Sequence, residues 1–242
     1  MQIKFMGAAG TVTGSSYILT SGSGQSILID LGMFQGLPEL EGLNYEPYEY
    51  DCRALSGAVL THAHLDHCGR LPILLAKDFR EKIWMTPATR DLTEISLFDT
   101  AKIAKFDKKK ALFDKDLAEQ TINHFMLKEY HESFQIGDFT ITFRDAGHIL
   151  GSASLEIVDA HPNSEIKKIV FSGDLGNSPE ELQRPTEYIE SADAVVMEST
   201  YGSQLHPPQD PKEILISEVQ SIEKSGGTLL IPAFSLERSQ EL

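Results

Sequence analysis

The chain opens on short apolar stretches broken by glycine and serine: QIKFMG at 2–7, SYILTS at 16–21 and QSILIDLG at 25–32. Such β-rich runs between turn residues predict hairpin-linked strands. GAVLT at 57–61 is a continuous apolar run bounded by glycine, the pattern of a strand covered on both faces, and EKIWMT at 81–86 predicts another strand. From 87 to 118 the spacing changes: Leu92, Ile95, Ser96, Phe98, Ile103, Phe106 and Leu112 recur at three- and four-residue intervals, predicting a helix. Strand patterns return in FTITFRDAG (139–147), SASLEIVDA (152–160), KKIVFSGDLG (167–176) and ADAVVMEST (192–200). PKEILISEVQSIEKSGG (211–227) predicts an amphipathic helix stopped by a glycine pair, and TLLIPAF (228–234) a following strand. Strands alternating with helices predict a layered α/β chain. No internal repeat or low-complexity linker interrupts it.

Polar residues able to bind metal stand where these strands run out. Asp30 ends SILID, His62 follows AVLT, His148 follows FRDAG, Asp174 follows IVFSG and Glu198 ends AVVME. In layered α/β architectures ligand sites gather in such loops, because the sheet is a rigid base and the loops supply reach. A single Asp of this kind is more often a turn residue or cap; five at five strand ends point to a site. The densest chemistry is HAHLDH, with His62, His64, Asp66 and His67 inside six positions of a chain holding 8 histidines. In an extended loop, residues two apart can point the same way, so His62 and His64 can grip one ion. Asp66 and His67 can face a second ion where the chain begins to coil. Imidazole nitrogen and carboxylate oxygen are zinc ligands, and two ions a few ångströms apart clamp a nucleophile and a substrate oxygen together.

Composition narrows the reading. A length of 242 residues suits one large domain, or one domain and part of another, and 41% apolar content is that of a protein with a real core. No apolar run approaches the 18 or so residues of a membrane span, and the N-terminus lacks the basic and apolar regions of a secretory signal. Cys52 and Cys68 form neither a disulfide framework nor a CxxC pair, so a reduced, cytoplasmic chain is expected. The net charge of −15 repels polyanions and weighs against a passive nucleic-acid-binding module. It leaves room for a nuclease that meets phosphate through metal ions.

HxHxDH after a strand, with a lone Asp some thirty residues upstream, resembles the metallo-β-lactamase superfamily. LIDLG (28–32), THAHLDHCGRLP (61–72), AGHILGSAS (146–154) and FSGDLG (171–176) carry the likeness. MESTYG (197–202) and IPAFSLERSQEL (231–242) resemble the β-CASP branch, whose members are RNA-processing nucleases that in some cases act on DNA. The resemblance implies an αββα sandwich, incomplete at the C-terminus, with residues 1–230 the metallo-β-lactamase-like domain and 231–242 the start of a connection into a β-CASP domain. It implies two zinc ions: His62, His64 and His148 on the first, Asp66 and His67 on the second, and Asp174 bridging. Asp30 would fix the metal loop by hydrogen bonding. The implied reaction is phosphodiester hydrolysis of RNA by a di-zinc-activated hydroxide. Glu198 would not ligate metal but would orient a histidine donating a proton to the leaving 3′ oxygen.

In the family that histidine, and another completing the second zinc, follow the inserted domain. The chain is therefore expected to be the N-terminal part of a longer nuclease, with the second metal site one ligand short and little cleavage of its own. His206, in QLHPPQD, matches no motif. The expected partner is RNA, with single-stranded DNA the alternative, no membrane, and self-association left open. Two other functions are weighed: a small-molecule hydrolase of thioesters, lactones or β-lactams, and a non-catalytic scaffold subunit of an RNA-processing complex. Cys68 is expected to be a packed thiol and His124, His131 and His161 surface residues. KIAKFDKKK (102–110) reads as a solvated helix face more readily than a phosphate patch, and GAAGTVTGSS (7–16) as a tight connection near the metal loop.

Overall fold

The computed structural model describes all of the chain except residues 48–49, 107–109, 177–181, 206–209 and 242, and the side chain of residue 211. Among the described residues, twenty elements, two of them short 3-10 turns, divide between residues 1–198 and a smaller unit, 199–242.

In the larger unit the first sheet holds β1 (Gln2–Gly7), β2 (Ser16–Thr20), β3 (Ser26–Leu31), β4 (Leu55–Val59), β5 (Ile83–Met85) and β6 (Phe125–Leu127) in sequence order. β1, β2 and β3 pair antiparallel, and β3 to β6 parallel. The parallel half needs crossovers. These run through α1 (Pro38–Gly42) between β3 and β4, α2 (Leu65–Cys68) and α3 (Leu71–Ala76) between β4 and β5, and α4 (Pro87–Phe106) and α5 (Lys115–Ile122) between β5 and β6. The second sheet has the order β11 (Ala194–Val196), β10 (Lys168–Phe171), β9 (Ala153–Asp159), β8 (Phe139–Asp145), β7 (Phe134–Ile136).

Alternation along the strands explains the layering. Leu19, Ile27, Ile29 and Val59 from the first sheet pack against Phe139, Ile141, Phe143, Leu155, Ile157 and Phe171 from the second, forming the core between the sheets. The opposite face of the first sheet, with Leu28, Leu31, Ala58 and Ile83, is covered by Leu71 and Leu74 of α3. Strands β3 and β4 are thus apolar on both faces, as GAVLT predicts, although β4 begins two residues earlier and leaves Thr61 in the following loop. The outer face of the second sheet is polar: Arg144 and Lys168 both pair with Glu156.

Three sequence expectations are corrected. The helix expected over 87–118 is two helices. α4 ends at Phe106, and α5 begins after Asp114, whose carboxylate caps it by accepting the Leu117 N–H at 2.9 Å. Within α4 the buried line is Thr89, Thr93 and Leu97, because its first turns pack on a loop rather than on a sheet. In the smaller unit α6 (Pro211–Ser225) begins at the cap Asp210 and stops at Gly226 in the left-handed conformation, with α7 (Arg238–Glu241) following. The strand expected at 228–234 does not form, since a strand exists only through pairing and this segment has no pairing partner among the described residues. Finally β6 and β7 have no counterpart in the sequence reading. Among the described residues no helix is long and apolar enough to cross a membrane.

Acid sensitivity is built into the end of the sandwich away from β-strand tips that carry histidine. Asp159 is 1% exposed and accepts hydrogen bonds from Ser164 Oγ, the His161 N–H and the Gly22 N–H. Burial opposes its ionisation, but these bonds outweigh it and hold the carboxyl below its usual range. Glu156 is held low in the same way, against burial, by Lys168 and Arg144. Their stabilising effect is present above the unfolded-state values near pH 4 and is lost as pH falls through the lower folded values. The urea midpoint should therefore show an acid limb below about pH 4 that carries their contribution. In Asp159→Asn that acid limb should be shallower; an unchanged limb would discount this carboxylate.

Candidate metal centre

Every strand-end residue singled out in the sequence lies at one end of the sandwich. Asp30 is the extra residue of a bulge, since Tyr17 pairs with Ile29 and Ser16 with Leu31. Its φ of +54° turns the side chain out of the strand's alternation. There it is 2% exposed and accepts from the Thr61 N–H (2.8 Å), the Thr61 hydroxyl (2.8 Å) and His67 Nδ1 (2.8 Å). His62 and His64 lie in the loop after β4; His64 then caps α2, which carries Asp66 and His67. His148 sits in the loop between β8 and β9, Asp174 after β10 and Glu198 after β11.

Ligand atoms of His62, His64, His148 and Asp174 all fall within 4.8 Å of one another. His148 Nε2 is 3.1 Å from His64 Nδ1, and Asp174 Oδ2 is 3.7 Å from both His62 Nε2 and His148 Nε2. The other oxygen, Asp174 Oδ1, lies 3.2 Å from His67 Nε2, which has Asp66 Oδ2 at 4.0 Å. Asp174 thus turns one oxygen to each group of histidines. Asp66 and His67 stand outside the four-residue set and share only Asp174 with it.

Charge and tautomer follow from the surroundings. The Thr61 hydroxyl donates to Asp30, so its lone pair faces His62 Nδ1–H at 3.1 Å and leaves His62 Nε2 as the inward lone pair. That atom is buried without a hydrogen-bond partner. Burial holds the His62 imidazole well below its ordinary pKa, hence neutral. Burial would lower His67 too, but Asp174 and Asp30 on either side outweigh it and hold it well above the ordinary value. Burial likewise opposes ionisation of Asp174, yet His67, by its charge and its hydrogen bond, keeps it an anion. The Asp66 carboxyl is pushed upward by burial. Three imidazole nitrogens and a carboxylate oxygen, one nitrogen buried without a partner, are the donor set of a tetrahedral zinc site. The residues fit the ion.

Two glycines permit the loops to meet. A Cβ on Gly32 would lie 1.5 Å from the Asp66 carbonyl oxygen, and one on Gly176 would lie 1.7 Å from that of Gly147. The Gly176 N–H donates to the Ala146 carbonyl at 3.0 Å, joining the Asp174 loop to the His148 loop. The latter also rests on α4, where the hydroxyls of Thr86 (2.7 Å) and Thr89 (2.8 Å) donate to the Gly151 carbonyl. Glu198 does not enter the four-residue set; its Oε1 accepts the Leu175 N–H at 3.3 Å, one residue beyond Asp174.

Residues missed in the sequence are Thr61 and Ser15. Ser15 ties the 7–16 loop to the centre through its N–H on the Asp66 carbonyl (2.9 Å) and its hydroxyl 3.3 Å from His67 Nε2. A hydroxyl directly before the first histidine was the available signal for Thr61. Cys68 is a fully buried thiol whose pKa burial pushes upward, with Sγ on the Ala63 carbonyl, so it packs rather than ligates. His124 and His161 are half-buried and His131 is exposed; none joins the cluster. His206, Lys108 and Lys109 lie outside the described residues, while Lys102, Lys105 and Lys110 are exposed.

Comparison with known proteins agrees with this geometry. Residues 9–233 match the model of the metallo-β-lactamase superfamily. A ribonuclease of Thermus thermophilus is 37% identical over all of this chain and 54% of its own length. An RNase of Saccharolobus solfataricus is 35% identical over 99% of this chain and 47% of its own. The chain spans about half the length of these curated relatives. A solved structure of a protein from Enterococcus faecalis shares the fold, with a TM-score of 0.54 at 15% identity over 92% of this chain and 57% of that one. The chain belongs to the metallo-β-lactamase superfamily.

Proposed function

We propose that this site hydrolyses phosphodiester bonds of RNA with zinc as its resident metal. The observation that carries the reading is the division of Asp174, with Oδ2 toward His62 and His148 and Oδ1 toward His67. A carboxylate so shared suits a bridge between two cations, the first on His62, His64 and His148 and the second on Asp66 and His67. Bound zinc would supply Lewis acidity toward a phosphoryl oxygen and lower the pKa of water from 15.7 to about 7.

The chain's own groups do the rest. Asp30 accepts a hydrogen bond from the Nδ1–H of His67, which turns Nε2 toward Asp174, and the Thr61 hydroxyl oxygen does the same for His62. Asp66, with Oδ2 4.0 Å from His67 Nε2, is assigned to taking a proton from the attacking water. Glu198, anchored on the Leu175 N–H, is assigned to orienting a proton donor toward the leaving 3′ oxygen. The ribonuclease names of the relatives support RNA as substrate. The purified protein should retain zinc that a chelator strips, and with single-stranded RNA it should give only weak cleavage, as expected of a chain whose second metal site is one ligand short, abolished by the chelator and restored by zinc. Cleavage indifferent to chelator would overturn the proposal, as would protein that retains no zinc.

A further inference from the structure

Three segments border the metal centre directly. Residues 7–16 touch it through Ser15; residues 31–38 through Gly32, packed on the Asp66 carbonyl, and the Met33 N–H, which donates to the Leu65 carbonyl at 2.8 Å; residues 146–155 contain His148. Together these 28 residues hold no Asp, Glu, Lys or Arg, where the chain's 24% charged content predicts about seven. In a protein of net charge −15, these three segments of the rim carry no carboxylate.

The same rim presents apolar side chains to solvent. Val12 is 61% exposed, Leu37 64% and Leu150 59%. A lone exposed leucine is ordinary, but these three stand on the loops that frame one centre. The loops are held in place. Thr13 Oγ1 donates to the Gln35 carbonyl (3.2 Å) and accepts the Gln35 N–H (3.0 Å), stitching the first two segments together beside Val12 and Leu37. Ser152 Oγ accepts the N–H groups of His148 (3.0 Å) and Ile149 (3.2 Å), leaving Leu150 at the turn. Gly10 and Gly36, at the tips, face open space.

We propose that this uncharged collar is the seat of a single-stranded polynucleotide, with bases resting on Val12 and Leu37 on one side of the scissile phosphate and on Leu150 on the other. Apolar seats grip bases without reading their edges, so recognition is tolerant of sequence. A collar without lysine or arginine adds no counterion release, so its share of the affinity does not fall with salt. The inference deepens the proposed RNA hydrolase and rests on that reading.

The test measures fluorescence anisotropy of a labelled oligouridylate with 2′-O-methyl riboses, which cannot be cleaved, on the zinc-supplemented protein. Val12→Ser and Leu150→Ser should each weaken binding about tenfold, at low and high salt alike. Leu150→Phe, which enlarges the apolar seat, should tighten it about threefold, a gain that misfolding cannot mimic. The double variant Lys102→Glu/Lys105→Glu on α4 should alter only the salt dependence. Unchanged affinity in the three collar variants would overturn the proposal. So would collar variants that change sedimentation while oligonucleotide affinity holds, which would make the collar a contact between copies of the chain. Because binding is read apart from chemistry, wild-type protein that binds the probe but whose RNA cleavage is indifferent to chelator would sink the hydrolase reading alone.

Discussion

Asp174→Ala is expected to lower the divalent metal retained by the purified protein severalfold and RNA cleavage by at least about a hundredfold, since a bridged metal pair supplies several kcal/mol of charge stabilisation. The reason lies in its two oxygens, 3.7 Å from His62 Nε2 and His148 Nε2 and 3.2 Å from His67 Nε2. No other carboxylate among the described residues joins the four-residue set, so its loss leaves imidazoles facing one another without a counter-charge. The fold should survive, because Asp174 sits in a loop and makes no part of the apolar clusters. Inductively coupled plasma analysis of dialysed protein beside a circular dichroism melt separates the two effects. Wild-type metal content in the variant would remove Asp174 from the centre.

Asp30→Ala should strike stability as well as metal. The substitution leaves three buried donors, the Thr61 N–H, the Thr61 hydroxyl and His67 Nδ1, without their acceptor. Each such group costs about 1–3 kcal/mol, and alanine at a φ of +54° adds about 1 kcal/mol of backbone strain. A total of roughly 4–10 kcal/mol is a large part of the stability of an ordinary domain. The melting temperature should fall by at least about 10 °C. Asp30→Asn should lie between the two, since asparagine tolerates the left-handed region and still accepts one bond, but turns an amide N–H toward the remaining donors. Metal affinity should drop about 10- to 100-fold even where Asp30→Asn folds, the usual effect of losing an orienting partner. An Asp30→Ala protein melting within about 2 °C of wild type would show that the Asp30 network is not a structural support.

His62, Asp174 and Glu198 could be picked out in the sequence because each follows or ends an apolar run, and an apolar run of that length is a strand. A strand's end is a loop, and His62, Asp174 and Glu198 inherit their place from that simple rule. Local pattern failed where structure depends on pairing. β6 and β7, three residues each, are strands only by virtue of their neighbours β5 and β8, and 228–234, apolar enough for a strand, forms none. The long helix expected over 87–118 was divided by Asp114, a good cap whose effect competes with continuing periodicity.

By itself, the order of residues determined the layered α/β class, the strand-end loops and the ligand chemistry of HAHLDH, since these rest on side-chain type and on spacing of two or three to four residues. Tertiary structure decided what spacing cannot encode: that Asp174 faces both sets of histidines, that a bulge aims Asp30 at Thr61 and His67, and that Gly32 and Gly176 let backbone loops touch. These are contacts between segments tens of residues apart. Their distances follow from how two twisted sheets pack face to face, and no local pattern carries that information.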